Sequence, residues 1–410
     1  MRKLRIERLG RLGDGLGGGL VVPGALPGEL VEGDEADGAL AGPRILEPSP
    51  DRVTPPCPHA RRCGGCQLQH ASDALVARWK GDTVREALAR HGLEARIASV
   101  ETSPPVSRRR AAFSATRRKK GALAGFHAKR SDEIVAVPDC RVVHPDLLPA
   151  LPLAEALARL GASRKGELGV TVTRTEAGLD VAARGGKPAD GPMRAALADI
   201  VHAHRLARLT WEDEVIAMAR PPVLRMGRAR VVPPPGAFLQ ATADGEAALL
   251  AAVRAILAPA RRVADLFAGC GTFALPLAEG AEVHAVEADA AMLAALDAGW
   301  RGAPGLKRVT TEPRDLFRDP LLGPELGEFD GVVIDPPRAG AAAQMAELAA
   351  ARVARVAHLS CNPATFARDA ATLVAAGYRM GPVRVVDQFR WSSHVELVAG
   401  FEAPHIGRGG

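Results

Sequence analysis

"VADLFAGCGTFALPLA", residues 263–278, decides the fold. It opens as an apolar run of the length and composition of a buried strand, turns through Gly269 and Gly271, and continues from Thr272 in a helical pattern. Glycine at such a turn lets the backbone come close to a ligand. About twenty residues on, "EVHAVEAD" (282–289) is a second buried strand that closes on Glu287, an acid placed to accept hydrogen bonds from ribose hydroxyls.

Strand, glycine turn, helix, strand and acid together form a nucleoside-binding design. It departs from the G-x-G-x-x-G dinucleotide fingerprint, because the third glycine position is Ala274, behind Phe273, and the loop has little provision for a pyrophosphate. A cofactor without phosphates fits, and S-adenosylmethionine is the leading candidate. The alternatives are a dinucleotide dehydrogenase or an empty doubly wound domain. Cys270, between the two glycines, reads as a small buried packing residue.

Downstream, apolar strands alternate with helices through "FDGVVIDPPR", "RVAHLSCNP", "VRVVDQF" and "HVELVAGFE". This is an α/β pattern: a parallel, Rossmann-like sheet covered on both faces, with the last pair antiparallel at one edge. Asp335 and Cys361 each follow a buried strand, so they emerge at the same sheet edge as the glycine loop, and the prolines after them stiffen the turns. A cysteine beside a methyl donor has a specific use. Uracil C5 is a poor nucleophile, but a thiolate adding to C6 makes C5 able to attack a methyl group, after which a base must remove the C5 proton. Glu396 in "SSHVELVAGF" is the candidate base, with His394 two residues before it on the same strand face.

Upstream, "CPHARRCGGC" sets Cys57, Cys63 and Cys66 at C-x5-C-x2-C spacing, and Cys140 follows in "VPDC". Four soft ligands, three of them local, suit tetrahedral zinc or an iron–sulfur cluster, and the spacing leans toward a cubane cluster. Between them "RRR" (108–110) and "RRKK" (117–120) bracket Phe113 with seven positive charges, in a chain of formal net charge +6. Either this is a solvated surface segment or it grips an anionic polymer such as RNA. Residues 1–48 read as a small β-module with tight turns, and a proline-rich linker follows. The 410 residues carry no 18-residue apolar run, and "MRKLRIERLG" has no signal-peptide pattern. No membrane association, a cytoplasmic location and a monomer are expected.

The whole pattern resembles the family of RNA uracil-C5 methyltransferases over nearly its full length. "DLFAGCGTFALPLA", "DPPRAG", "SCNPATFARD" and "HVE" look like that family's ordered motifs, "CPHARRCGGC" with Cys140 like its iron–sulfur site, and "LPGELV" like its N-terminal TRAM domain, an OB-like RNA-binding barrel. The resemblance implies a pocket for S-adenosylmethionine and the target base lined by Gln240, Phe267, Thr272, Glu287, Asp315 and Asp335. It also implies Cys361 as nucleophile, Glu396 as base, and a 4Fe–4S cluster on Cys57, Cys63, Cys66 and Cys140. Three units follow: an abbreviated TRAM-like module at 1–48, a mixed α+β iron–sulfur and RNA-binding region at 57–235, of which about 67–105 packs with the catalytic domain, and a methyltransferase domain at 236–410. The partner implied is structured RNA, 23S rRNA first and transfer RNA second, with a non-catalytic RNA-binding or ribosome-assembly factor as the remaining alternative. Arg390, Ser392 and Thr242 stand where the family favours Pro, Thr and Asn.

Overall fold

The computed structural model describes residues 1–404; the last six residues of the 236–410 unit lie outside the described residues. Its largest sheet runs in the order Val309–Pro313, Glu282–Glu287, Arg262–Leu266, Gly331–Ile334, Arg355–Ser360, Glu396–Glu402, Val383–Asp387 and Ile97–Thr102, with Arg379–Met380 as a short strand beside Glu396–Glu402. The first five are parallel. They are apolar on both faces because helices cover both. Leu249, Val253 and Leu296 pack on one face, and Val84, Leu88, Met345, Phe366 and Leu373 on the other. Chain order reverses between Arg262–Leu266 and Gly331–Ile334, which opens a crevice at the carboxyl ends of these strands.

Three details differ from the sequence reading. The helical pattern after Thr272 yields only the four-residue helix Ala274–Leu277, since Gly271 at φ +93° is still turning the chain and the next strand begins at Glu282. The antiparallel pair does not form the edge: Ile97–Thr102 adds outside Val383–Asp387, in parallel. The hairpin of Leu224–Met226 and Ala229–Val231 buries Leu224, Met226 and Val231 in the same core as Val263 and Val283, so the catalytic sheet's unit reaches back past residue 236.

A seven-stranded sheet occupies the central region, in the order Ile134–Val135, Gly121–His127, Arg110–Arg118, Glu167–Thr175, Gly178–Arg184, Arg208–Trp211 and Glu214–Met218. Helices Ala150–Gly161 and Gly191–Ala203 cover it through Leu153, Leu157 and Leu197. The first 47 residues form a six-stranded sheet around Leu4, Ile6, Leu20, Val22, Val31 and Leu40. It is fastened to helix Asp73–Ala89 where Leu9 and Leu26 meet Leu75, Val76 and Trp79. Among the described residues no helix is long and apolar enough to cross a membrane.

The seven charges of 108–120 do not act as one patch. Arg109 turns inward to pair with Glu246 and to donate to the Gln240 carbonyl at 3.1 Å, and Arg110 donates to the Gly236 carbonyl at 3.1 Å. Arg108 is half-buried against Phe389, 5.2 Å from its ring centre. Only Arg117, Arg118, Lys119 and Lys120 are exposed, at the tip of a hairpin. The first three arginines precede or open a central strand that crosses the interior, so their charges need internal partners.

Candidate active site

The glycine loop is held open by backbone geometry. Phe267 adopts a left-handed φ of +63° and Gly269 one of +55°. A β-carbon on Gly271 would stand 2.8 Å from Leu296 and 2.9 Å from Leu275, so the helix–loop contact requires glycine there. Glu287 ends its strand with both carboxylate oxygens engaged: one accepts from the Gly269 amide at 3.0 Å and the other from the Asp289 amide at 3.0 Å. One acid thereby ties the glycine loop to the second strand end. Thr272 is half-buried in the turn after Gly271. Asp315 lies just beyond the third strand, where it accepts from the Phe317 amide at 3.0 Å. The Phe317 ring, half-exposed, stands 5.4 Å from that of Phe267.

Across the crevice, four side chains from four separate segments form one hydrogen-bonded row. Gln240 donates to Asp335 Oδ2 at 3.2 Å; Gln388 Nε2 donates to Gln240 Oε1 at 2.6 Å and to Glu396 Oε2 at 2.7 Å. Cys361 stands beside this row, half-buried. Its turn is fixed by Asn362, which caps helix Pro363–Ala375 through the Ala364 amide at 3.1 Å and donates to the Arg338 carbonyl at 3.0 Å. The turn after Asp335 and the turn bearing Cys361 are thus one cross-linked unit.

Burial governs the electrostatics here. Desolvation pushes the Glu396 carboxyl up to about 8, with Asp335 adding to the rise and the Gln388 hydrogen bond and Lys80 opposing it. Asp335 keeps some contact with solvent through the crevice, yet its surroundings are dry enough to push it to about 7. Burial also raises the Cys361 thiol to about 11, with Glu396 and Asp335 adding to it and Arg338 opposing. Three groups raised together by burial in one crevice mark a candidate site for proton movement.

His394 does not share a strand face with Glu396, because the strand begins only at Glu396. It lies in the preceding turn, 5.3 Å from the Phe389 ring.

Four residues of the site escape a motif reading. Gln388 joins the row, and Asp387 pairs with Lys80 at 2.5 Å with both side chains fully buried. Their signal was the polar pair that closes the apolar run "VRVV". Lys80 also had one, since it falls on the apolar helix face between Val76 and Val84. The fourth is Asp265, fully buried beneath the glycine loop with neither carboxylate oxygen in a well-formed hydrogen bond, although the Ala274 amide bears on it and favours its charged form. Burial raises its carboxyl well above the usual range, and Asp335 and Glu287 add to this. An acid inside an apolar strand was the clue.

A second site lies at the cysteine loop. Cys57, Cys63, Cys66 and Cys140 are all buried and wall one cavity of about 140 Å³ together with Arg108, Phe126 and Gln69. Burial raises three of the thiols, Cys66 to about 12. Among the described residues no three His, Cys, Asp or Glu side chains converge closely enough to enclose a single ion. Four buried thiols walling one chamber are a donor set of the kind that holds a soft metal ion or a cluster. Arg108 Nε, buried there without a partner, fits an anionic occupant.

A family model described as tRNA (uracil-5-)-methyltransferase matches residues 306–401. An RNA methyltransferase of Brucella suis is 44% identical over 401 residues, 97% of each chain. The 23S rRNA (uracil(1939)-C(5))-methyltransferase RlmD of Halomonas elongata is 36% identical over 445 residues, 99% of this chain and 90% of that one. The crystal structure of a Pyrococcus abyssi tRNA (uracil-54, C5)-methyltransferase with S-adenosyl-L-homocysteine superposes with a TM-score of 0.77 at 20% identity, covering 98% of this chain and 100% of that one, which shows the common fold. With full-length relatives of this kind and the crevice geometry in agreement, the chain belongs to the RNA uracil-C5 methyltransferase family.

Proposed function

We propose that this S-adenosylmethionine-dependent RNA methyltransferase forms 5-methyluridine in 23S rRNA, in the cytoplasm, with Cys361 as nucleophile and Glu396 as base. The observation that carries the reading is the row Asp335–Gln240–Gln388–Glu396 standing beside the Cys361 thiol. S-adenosylmethionine, when bound, supplies an electrophilic methyl group. The residues that would hold it are those of the glycine-loop half: Phe267, Thr272, Glu287 and Asp315. Gln240 and Asp335 face the base.

Cys361 Sγ bonds to uracil C6, and the ring electrons move onto O4 so that C5 becomes the attacking carbon. Once C5 has taken the methyl group, the S–CH3 bond breaking with S-adenosyl-L-homocysteine as the leaving group, Glu396 takes the C5 proton, the electron pair reforms the C5–C6 double bond, and the Sγ–C6 bond breaks. The uridine reaches Cys361 only after leaving its stack. The exposed hairpin tip Arg117–Lys120 and the N-terminal sheet, read as an OB-like TRAM module, would hold the surrounding backbone. The full-length relation to RlmD supports rRNA over transfer RNA. The test is methylation of transcribed 23S rRNA fragments and of transfer RNA side by side, with the modified position mapped. Label confined to transfer RNA would refute the rRNA assignment.

The proton inventory sets a pH profile. Glu396 must lose its proton to act as base, and Cys361 must lose its own to attack, from groups pushed to about 8 and about 11. Rising pH therefore activates the free enzyme, and kcat/KM at pH 9 is expected to exceed that at pH 7 by at least about tenfold. A flat profile between those values would contradict the assignment.

The four-cysteine chamber is assigned to a 4Fe–4S cluster, a structural staple holding Cys140 to the 57–66 loop. Cys63→Ser is expected to lower bound iron and the melting temperature together. Full iron content in that variant would count against the cluster.

A further inference from the structure

We propose that Lys80 is a positioning residue for the base, acting on Glu396 through Asp387 and Gln388. This goes one step past the mechanism above and rests on its assignment of Glu396.

Lys80 sits in the middle of helix Asp73–Ala89, and its ammonium has no access to solvent. It donates to Asp387 Oδ1 at 2.5 Å and reaches the Phe389 carbonyl at 3.4 Å. Asp387 Oδ1 also accepts from the Phe389 amide at 3.1 Å, so one carboxylate oxygen and one ammonium fix both polar groups of Phe389. Between those two residues is Gln388, whose single amide nitrogen reaches Gln240 and Glu396. The turn that aims Gln388 is built on the Lys80–Asp387 pair.

A buried ion pair adds little net stability compared with an apolar pair of the same shape. Fold stability alone therefore gives little reason to place a lysine here. Its location gives another. The charged or titratable groups that bear on Glu396 are Asp335 at the end of Gly331–Ile334, Cys361 after Arg355–Ser360, and Lys80 from the helix. His394, in the turn before Glu396, is itself disfavoured as a cation by burial and by Arg338, Arg108 and Lys80. Among these groups Lys80 is the cation that favours the carboxylate form of Glu396, against the anion Asp335. It serves the base twice, by fixing Gln388 and by offsetting Asp335.

Lys80→Met tests this. The rise of kcat/KM with pH should move upward by about one unit, so that activity at pH 7.5 falls about tenfold and much of it returns at pH 9. KM for RNA should stay near its original value, and Lys80→Arg should hold the profile near the wild-type position. If Lys80→Met misfolds because Asp387 is left buried and unpaired, Lys80→Gln, which removes the charge but keeps a hydrogen-bond donor toward Asp387, carries the same measurement. A folded variant with reduced melting temperature but the wild-type pH profile would make the pair architectural and overturn the proposal. The controls separate this from failure of the base assignment. A covalent RNA adduct in Glu396→Gln with an unmoved Lys80→Met profile refutes Lys80 alone, whereas no adduct refutes Glu396.

Discussion

Cys361→Ala is expected to reduce methyl transfer to background, a loss of at least about 10⁴-fold in kcat. The size follows from what is removed. Without a bond at C6, C5 of uracil has no enolate character, and no neighbouring side chain can supply it: Asp335, Gln240 and Glu396 are oxygen and nitrogen groups committed to their own hydrogen-bonded row. The fold should not suffer, because the turn is held by Asn362 and Ser360 rather than by the thiol. A folded alanine variant that retained more than about one hundredth of wild-type kcat would end the covalent mechanism.

Glu396→Gln is expected to stop the reaction one step later, if Glu396 is the base proposed above. Glutamine has the same shape, and its carbonyl can still accept from Gln388, so the row and the pocket remain. An amide cannot take the C5 proton, and without that step the Cys361–C6 bond cannot break. The expected result is a protein–RNA species that survives denaturing gels, requires S-adenosylmethionine, and disappears in the Cys361→Ala background. Turnover should fall by about 10³-fold. Near-normal turnover with no such band would move the role of base to another residue.

The sequence exposed those features that depend on strand ends. Asp335 and Cys361 each follow an apolar run, and parallel strands must deliver such positions to one edge of a sheet. Glu287 was legible for the same reason. Gln240 and Asp315 came into view through family resemblance, since neither follows from local pattern. The arginines at 108–110 look in sequence like the exposed cluster that follows them, because charge density along a chain does not say which charges the fold turns inward. Lys80 is hard to read from sequence because its partner lies 307 residues away, and only that partner makes a buried ammonium tolerable. Arg390, at the family's proline position, pairs with Asp73 and donates to the Ser103 carbonyl at 3.1 Å. An ion pair here anchors the turn that a proline ring would otherwise stiffen.

The strand Ile97–Thr102, at the outer margin of the catalytic sheet, has a consequence for biosynthesis. It and Lys80 leave the ribosome long before Val383–Asp387, their shared partner segment. At roughly 5–20 residues per second, the lysine waits roughly 15–60 s for its carboxylate, and the strand for its neighbour, while the central sheet, whose strands lie between them in the chain, can already close. Nascent protein therefore passes through a stage with an unmatched ammonium and a bare strand margin, the stage at which a chaperone would matter most. The strand that follows this segment opens on Glu396, so the proposed base arrives just behind the segment that seals its own sheet.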